Sequence, residues 1–205
     1  MSLFFFVIMF NKYTFLEFFR LFISFIYTKL FYWNCRLIRL PFDIRYRKNI
    51  YLGKSLTTGI NCRIEVVNGI KNEKIIWFGD NVQMNDYVHI TGLGSVVIGN
   101  GVLIASKVYI SDCVHGSYLG DENDSNPTLL PSERKLFSKP VFIKDNVWIG
   151  EFVSVLPGVT IGEGTIVGAN SVVSKSLPDY VIAVGSPAIP IKKFNFKNLR
   201  WEKIF

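Results

Sequence analysis

With 205 residues, 49% of them hydrophobic, the chain is long enough for one packed domain with an appendage. It has three cysteines and no CxxC pair, which argues against a disulfide-rich secreted scaffold and favours the reducing cytoplasm. The net charge of +7 lies at the ends: residues 1–50 carry eight basic and two acidic side chains, and residues 192–205 carry five and one. No nucleic-acid-binding motif accompanies these charges, so we expect no nucleic-acid partner. An anionic membrane surface or a polyphosphate cofactor explains them better.

Residues 1–48 are predicted to form an N-terminal extension built around an amphipathic helix. The apolar run at residues 3–10 is too short to span a bilayer. Between residues 13 and 33, polar side chains recur three or four positions apart, which makes a narrow stripe on a helix: Glu17, Arg20, Ser24 and Thr28. A wide apolar face with basic neighbours is typical of a helix lying in a membrane interface. Packing against the rest of the protein is the alternative.

A strict six-residue period dominates the rest of the chain. Its clearest run consists of Ile143, Ile149, Val155, Ile161, Val167 and Val173. Neither a helix nor an ordinary strand has this period, whereas a chain that makes a short strand and a corner every six residues does. Stacked coils would bury the aliphatic side chains and bond to one another through their backbones. The sequence therefore predicts an all-β fold, a parallel β-helix over residues 49–191, followed by a basic tail at residues 192–205.

The repeat is interrupted once at length, by an excursion at residues 112–140. An unpatterned loop of this length in a compact domain usually has a function. It contains His115, one of only two histidines in the chain. The other, His89, lies within the repeats and is interpreted as structural. Two histidines and no Cys/His cluster argue against a catalytic metal ion, so we expect no metal site.

Three stretches resemble the hexapeptide-repeat acyltransferase family: NDYVHI at residues 85–90, LIASKVYISD at 103–112, and the repeats from residue 139 to 188. Within that family the resemblance is closest to O-antigen and exopolysaccharide O-acetyltransferases and to the galactoside and maltose acetyltransferase branch. It covers about residues 50–195. It implies left-handed coils, which are an exception to the usual handedness of parallel crossovers. It also implies a homotrimer with active sites between subunits, and acetyl-CoA as the co-substrate.

The resemblance also implies the site residues. His115 matches the catalytic histidine, which would take the proton from an acceptor hydroxyl, and Asn85 matches the asparagine facing it across the cleft. Asp86 and Asp112 are both candidates to orient His115. Cys113 replaces a second histidine found in many relatives. Coenzyme A is expected to contact positions shared with the family, namely Trp148, Gly150, Glu151, Ala169, Ser174, Lys175 and Lys192.

We therefore expect an enzyme, an O-acetyltransferase that moves acetyl from acetyl-CoA to a sugar hydroxyl during synthesis of a bacterial surface polysaccharide such as lipopolysaccharide O-antigen. Two alternatives stay open: N-acylation of an amino-sugar nucleotide, and a non-catalytic β-helix scaffold. The expected partners are a saccharide acceptor, two further copies of the chain and a membrane surface reached through the N-terminal extension. The expected location is the cytoplasm, at the inner face of the plasma membrane.

Overall fold

The computed structural model describes residues 14–69 and 73–204. The apolar run at residues 3–10 lies outside them. The chain enters helix α1 (Phe15–Phe31) through a capping box, in which the Glu17 N–H donates to Thr14 Oγ1 at 3.3 Å and the Thr14 N–H donates to the Glu17 carboxylate at 2.8 Å. No helix among the described residues is long and apolar enough to cross a membrane.

Three sheets of mainly parallel strands, A, B and C, enclose one apolar core. Sheet A contains β1 (Leu37–Ile38), β4 (Thr57–Thr58), β7 (Gln83–Met84), β10 (Leu103–Ile104), β15 (Trp148–Ile149), β18 (Ile166–Val167), β20 (Val181–Val184), β21 (Ile189–Asn195) and β22 (Arg200–Lys203). Sheet B contains β2 (Phe42–Arg45), β5 (Cys62–Val66), β8 (His89–Gly92), β11 (Tyr109–Ser111), β16 (Ser154–Val155) and β19 (Val172–Val173). Sheet C contains β3 (Ile50–Tyr51), β6 (Ile76–Phe78), β9 (Val96–Ile98), β14 (Val141–Ile143) and β17 (Thr160–Ile161). The chain passes from A to B to C and then begins the next coil.

The six-residue period marks the interior of these coils, as predicted. Ile149, Val155, Ile161, Val167 and Val173 are completely buried. Residues at equivalent hexad positions stack on adjacent coils; Ile149, for example, pairs in register with Ile104 on one side and Val167 on the other. Because no coil can bury its own aliphatic side chains, the core is continuous from coil to coil.

The coils extend beyond both boundaries that the sequence suggested. The first coil consists of β1, β2 and β3, so it begins at Leu37, within the segment assigned to the N-terminal extension. At the other end, β21 and β22 continue sheet A as antiparallel strands, so most of the basic tail is part of the sheet. Short 3₁₀ helices occur at Arg47–Asn49 and Pro131–Glu133.

Helix α1 packs against the first coil with its polar side. Ser24 is 3% exposed and Thr28 is completely buried. The Ile38 N–H donates to Thr28 Oγ1 at 2.8 Å, and the Leu40 N–H donates to Ser24 Oγ at 3.2 Å. The predicted polar stripe is thus divided, because these two residues face the protein while Glu17 and Arg20 are exposed. The sequence left packing against the rest of the protein as an alternative to membrane contact. Ser24 and Thr28 pack in this way.

Two vertices of the coils flank sheet B. At the A/B vertex, corner residues stack through backbone hydrogen bonds: the Asn85 N–H donates to the Ile104 carbonyl at 2.8 Å, and the Gly150 N–H donates to the Val167 carbonyl at 2.8 Å. At the B/C vertex, Leu156 stacks in the same way, donating to the Val173 carbonyl at 3.0 Å. Most of the predicted site residues lie at these two vertices.

The excursion leaves the coils at the B/C vertex, between β11 and β14. Its two ends pair as an antiparallel ribbon of β12 (Cys113–His115) and β13 (Leu136–Ser138). Between these strands, residues 118–133 are exposed except for a half-buried Ser125.

Candidate functional site

His115 is the last residue of β12 and its side chain is exposed. Its main chain is anchored, because it pairs with Leu136 in the ribbon and its carbonyl accepts a 2.7 Å hydrogen bond from the Tyr118 hydroxyl. Arg134 in turn donates to that hydroxyl at 2.8 Å and to the Leu129 carbonyl. No hydrogen bond to the imidazole of His115 is found among the residues that the structure describes. The backbone of His115 is anchored, while its imidazole makes no hydrogen bond to the described residues. This combination suits a base that acts on a bound molecule.

Asn85 lies at the A/B vertex, directly after β7, and its side chain is exposed. Its backbone is held on both sides, since its N–H donates to Ile104 and its carbonyl accepts from the Cys62 thiol at 3.0 Å. The side-chain amide has one donor group and one acceptor group to offer a ligand.

Within one copy of the chain, Asn85 and His115 are separated by the full width of sheet B. Asn85 lies before β8, at the vertex where the strands of sheet B begin, and His115 lies after β11, at the vertex where they end. The two predicted catalytic residues therefore do not meet in a single protomer.

The residues expected to contact coenzyme A are divided between the same two vertices. Gly150, Glu151 and Ala169 lie along the A/B vertex, and Trp148, 49% exposed, lies just before it on sheet A. Ser174 and Lys175 are exposed beyond β19, at the B/C vertex. Lys192 lies further along, on β21.

The A/B vertex has the shape that an extended ligand needs. A Cβ on Gly150 would lie 2.6 Å from the Ala169 nitrogen, so the backbones of these coils approach too closely for a side chain there. Ala105 and Gly168 occupy equivalent corner positions. A strip of small residues beside the exposed ring of Trp148 results, which can accommodate a slender chain such as the pantetheine arm.

Comparison with known proteins identifies the family of this chain. Residues 140–175 match the family "Bacterial transferase hexapeptide (six repeats)". An Escherichia coli K12 protein, the lipopolysaccharide biosynthesis O-acetyl transferase WbbJ, is 45% identical over 193 residues, covering 94% of this chain and 96% of the relative. The chain belongs to the hexapeptide-repeat acyltransferase family. The galactoside O-acetyltransferase of E. coli K12, 33% identical over 155 residues, covers 76% of this chain and 72% of its own length.

Solved structures of related acyltransferases share the fold of this chain. AntD, an N-acyltransferase from Bacillus cereus crystallised with an amino-sugar nucleotide and coenzyme A, has a TM-score of 0.65 and 26% identity, covering 80% of this chain and 83% of its own. A maltose O-acetyltransferase from Clostridium difficile has a TM-score of 0.55 and 30% identity, covering 73% of each chain.

The two carboxylates considered as partners of His115 contact other groups in this family member. Asp112 is completely buried, and its carboxylate accepts from the N–H groups of Leu93, Gly94 and Ser95 at 2.6–2.8 Å. It anchors the bulge that follows β8. Asp86 lies at the other vertex and accepts from the Ile60 N–H at 2.8 Å. Neither contacts His115 within one copy of the described chain.

Cys113, which the resemblance matched to a second histidine of many relatives, lies in the same strand as His115. It is two residues from His115 in the same strand, so both side chains lie on one face of the ribbon. Burial raises the pKa of the thiol, and Ser111 Oγ lies 3.6 Å from the sulfur. The thiol therefore stays protonated near neutral pH, which argues against a cysteine nucleophile.

Two features near the site were not anticipated from the sequence. One is a polar cluster on the outer face of sheet B: Glu65 Oε1 lies 3.0 Å from His89 Nε2, and Arg45 and Arg63 bond to the other carboxylate oxygen. This cluster agrees with the structural interpretation of His89. Alternation of polar residues along β5 is the signal that could have revealed it.

The other feature is a cavity of about 240 Å³ in the excursion. Its lining is Ser117, Leu119, Asp121, Asn123, Ser125, Lys135, Leu136 and Phe137. Ser117 lies two residues from His115, and its hydroxyl is buried without a hydrogen-bond partner. Separately, no group of three or more His, Cys, Asp or Glu side chains that could hold a metal ion occurs among the described residues.

Proposed function

We propose that this enzyme transfers acetyl from acetyl-CoA to a sugar hydroxyl in the synthesis of lipopolysaccharide or a related bacterial surface polysaccharide. The observation that carries the proposal is the imidazole of His115, which is exposed on an anchored ribbon and makes no hydrogen bond to the described residues. The polysaccharide pathway rests on the similarity to the E. coli O-acetyl transferase over nearly the whole chain.

The proposed chemistry is a direct transfer. His115 takes the proton of the acceptor hydroxyl while the hydroxyl oxygen attacks the thioester carbonyl. The C–S bond then breaks, and the thiol of coenzyme A leaves with the proton that His115 returns. The Asn85 amide donates to the oxygen that becomes negatively charged, which stabilises the transition state. Coenzyme A lies along the small residues of the A/B vertex, and Lys175 and Lys192 face its phosphates as flexible point charges.

This chemistry requires more than one copy of the chain. We propose a homotrimer of left-handed coils, in which the B/C vertex of one copy lies beside the A/B vertex of the next. His115 of the first copy then faces Asn85 of the second. A closed threefold ring gives three such sites, one at each contact between neighbouring copies.

We place the trimer in the cytoplasm, in peripheral contact with the inner face of the plasma membrane through the N-terminal segment. The basic residues at that end of the chain support an anionic membrane as the partner.

The two histidines of the chain provide a matched test. His115→Ala should lower the turnover of acetyl-CoA with a saccharide acceptor by roughly 10²–10⁴-fold, because the base is lost. His89→Ala should keep most of the turnover, because His89 lies on the outer face of sheet B and bonds to Glu65 there. Equal turnover in His115→Ala and the wild-type enzyme, with both folded by circular dichroism, would contradict the proposal.

N-acylation of an amino-sugar nucleotide is the second candidate, favoured by the likeness to AntD. The same imidazole could take a proton from an amine. Mass spectrometry of products from paired acceptors, one with a hydroxyl and one with an amino group at the same carbon, separates the two reactions. Transfer to the amino acceptor alone would replace the first proposal with the second.

A further inference from the structure

Helix α1 covers an open sheet edge with its polar residues. Strand β1 is the edge strand of sheet A, so its outward backbone groups have no strand to pair with. Thr28 accepts from the Ile38 N–H, and Ser24 accepts from the Leu40 N–H just beyond the strand. Unpaired edges promote aggregation, and this helix closes one. The hydrogen bonds between coils run along the prism axis, so α1 lies beyond the first coil on that axis.

The opposite side of α1 is apolar and exposed. Its exposed side chains include Phe15, Phe19, Phe22, Phe25 and Leu30, and Trp33 is exposed just beyond the end of the helix; Phe15 and Trp33 are 76% and 78% exposed. A contiguous patch of this kind marks an interaction surface. Because the polar residues face the coils, the apolar face points away from the active-site coils along the prism axis.

The charges around this face indicate an anionic lipid bilayer as its occupant. Arg20, Lys29 and Arg36 are exposed on or next to α1, and Glu17 is the only acidic residue of the helix. Lys29 also lies over the ring of Phe25, 5.6 Å from its centroid. An aromatic face with cationic neighbours is what an interfacial helix presents to lipid phosphates, whereas an identical basic helix of a second copy would repel it.

The reacting groups lie close to this face. Asn85 belongs to the third coil, and the ribbon carrying His115 leaves the fourth coil. Coils are about 4.8 Å apart, so the two groups lie about 10 and 14 Å along the axis from the first coil. Helix α1 adds about 10 Å, the diameter of a helix. The site is therefore about 20–25 Å along the prism axis from the exposed face of α1.

Arg39 lies between the membrane face and Asn85. It follows Ile38 at the first coil, and its Nη1 is 3.9 Å from the carboxylate of Asp86, the neighbour of Asn85. Its guanidinium is partly exposed, so it can bind a phosphate oxygen.

From this arrangement we propose that the acceptor is a saccharide attached through phosphate to a membrane lipid. The apolar face of α1 lies in the bilayer surface, Arg39 faces the linking phosphate, and the sugar reacts within about 25 Å of the membrane. This inference rests on the proposed acetyl transfer to saccharides and specifies the form in which the acceptor is presented.

The test uses the full-length enzyme and the glycolipid fraction of the source membranes, either intact in phosphatidylglycerol-containing vesicles or after mild acid has released the saccharides. Phe22→Asp with Phe25→Asp should weaken vesicle binding by about 100-fold or more, since the two rings that enter the bilayer are lost. The double variant should acetylate the released saccharide at the wild-type rate and lose the rate on the intact glycolipid. Leu199→Asp is the matched control, an exposed apolar residue on the C-terminal hairpin, and should change neither rate.

Arg39→Gln should slow only the reaction with the intact glycolipid. Equal wild-type rates on intact and released acceptors would overturn the inference, and so would a double variant that changes oligomeric state while binding vesicles normally. A wild-type enzyme that binds vesicles but acetylates neither acceptor would contradict the proposed function instead, because vesicle co-sedimentation measures the membrane contact separately.

Discussion

The two vertices that flank sheet B share a backbone ladder but differ in their side chains and continuity. The A/B vertex is uninterrupted and lined by small residues, with Asn85 exposed on it. The B/C vertex is opened by the excursion, which carries His115 away from the coils on a separate ribbon. In the proposed mechanism, one vertex supplies a surface for an extended ligand, and the other supplies a base. Neither is a complete site, which is why the proposed chemistry needs two copies side by side.

Replacing Asn85 tests the A/B vertex with the largest expected effect. Asn85→Ala should lower turnover by about 10²–10³-fold, because one donor to the developing oxyanion is lost. Asn85→Asp should be at least as harmful, since it replaces that donor with a negative charge. Thermal unfolding should be unchanged in Asn85→Ala, because the exposed amide stabilises nothing in the free protein. Turnover measured under saturating acetyl-CoA decides the matter, and a wild-type rate would remove Asn85 from the site.

The two aspartates give a matched comparison of stability at the two vertices. Asp112→Asn should lower the free energy of unfolding by about 1.5–3 kcal/mol, because three buried N–H groups lose a charged acceptor. Asp86→Asn should cost about 1 kcal/mol or less, since it has one such backbone bond and is partly exposed. Denaturant unfolding of both variants measures the difference. Equal losses would contradict the larger contribution to stability that the buried carboxylate of Asp112 is expected to make.

Two glycines of the A/B vertex differ in the atom that an added Cβ would meet, which is a backbone atom at Gly150 and a side-chain atom at Gly168. In Gly150→Ala the new Cβ would lie 2.6 Å from a backbone nitrogen, and we expect a loss of about 1–3 kcal/mol in the free energy of unfolding. In Gly168→Ala the nearest atom, at 2.7 Å, is a side-chain carbon of Val184, which can rotate away. Gly168→Ala should therefore be the milder change in the same unfolding measurement. The opposite order would contradict the close approach of the coils at Gly150.

The polar cluster between the vertices predicts a pH dependence of stability. Burial by itself would raise the pKa of Glu65, but hydrogen bonds from Arg63 and His89 outweigh it and hold the pKa below the ordinary value of 4.5. Its contribution to stability is therefore complete above pH 4.5 and is lost as the pH falls through the lower folded-state pKa. Below pH 4.5, the melting temperature of the wild type should fall more steeply than that of Glu65→Gln. If the melting temperatures of the two proteins fall equally as the pH is lowered, the pKa of Glu65 is not held below its ordinary value.

The sequence predicted the regular parts of the molecule because a six-residue period has one simple structural explanation. The same period could have revealed the first coil, since Ile38, Ile44 and Ile50 continue it. The role of Asp112 could not be predicted, because its partners are backbone N–H groups of a bulge that only the folded chain brings together. The orientation of α1 was also hidden, since a polar stripe does not reveal whether it faces water or an open sheet edge.

Mixing two inactive variants tests the shared site most directly. His115→Ala and Asn85→Ala each remove one half of the proposed site, so each should be nearly inactive alone. Co-assembled in equal amounts, they should regain about a quarter of the wild-type turnover, because one interface in four combines an intact His115 with an intact Asn85. Mixed trimers that remain as inactive as the single variants, with mixing verified by differently tagged chains, would contradict a site formed between two copies.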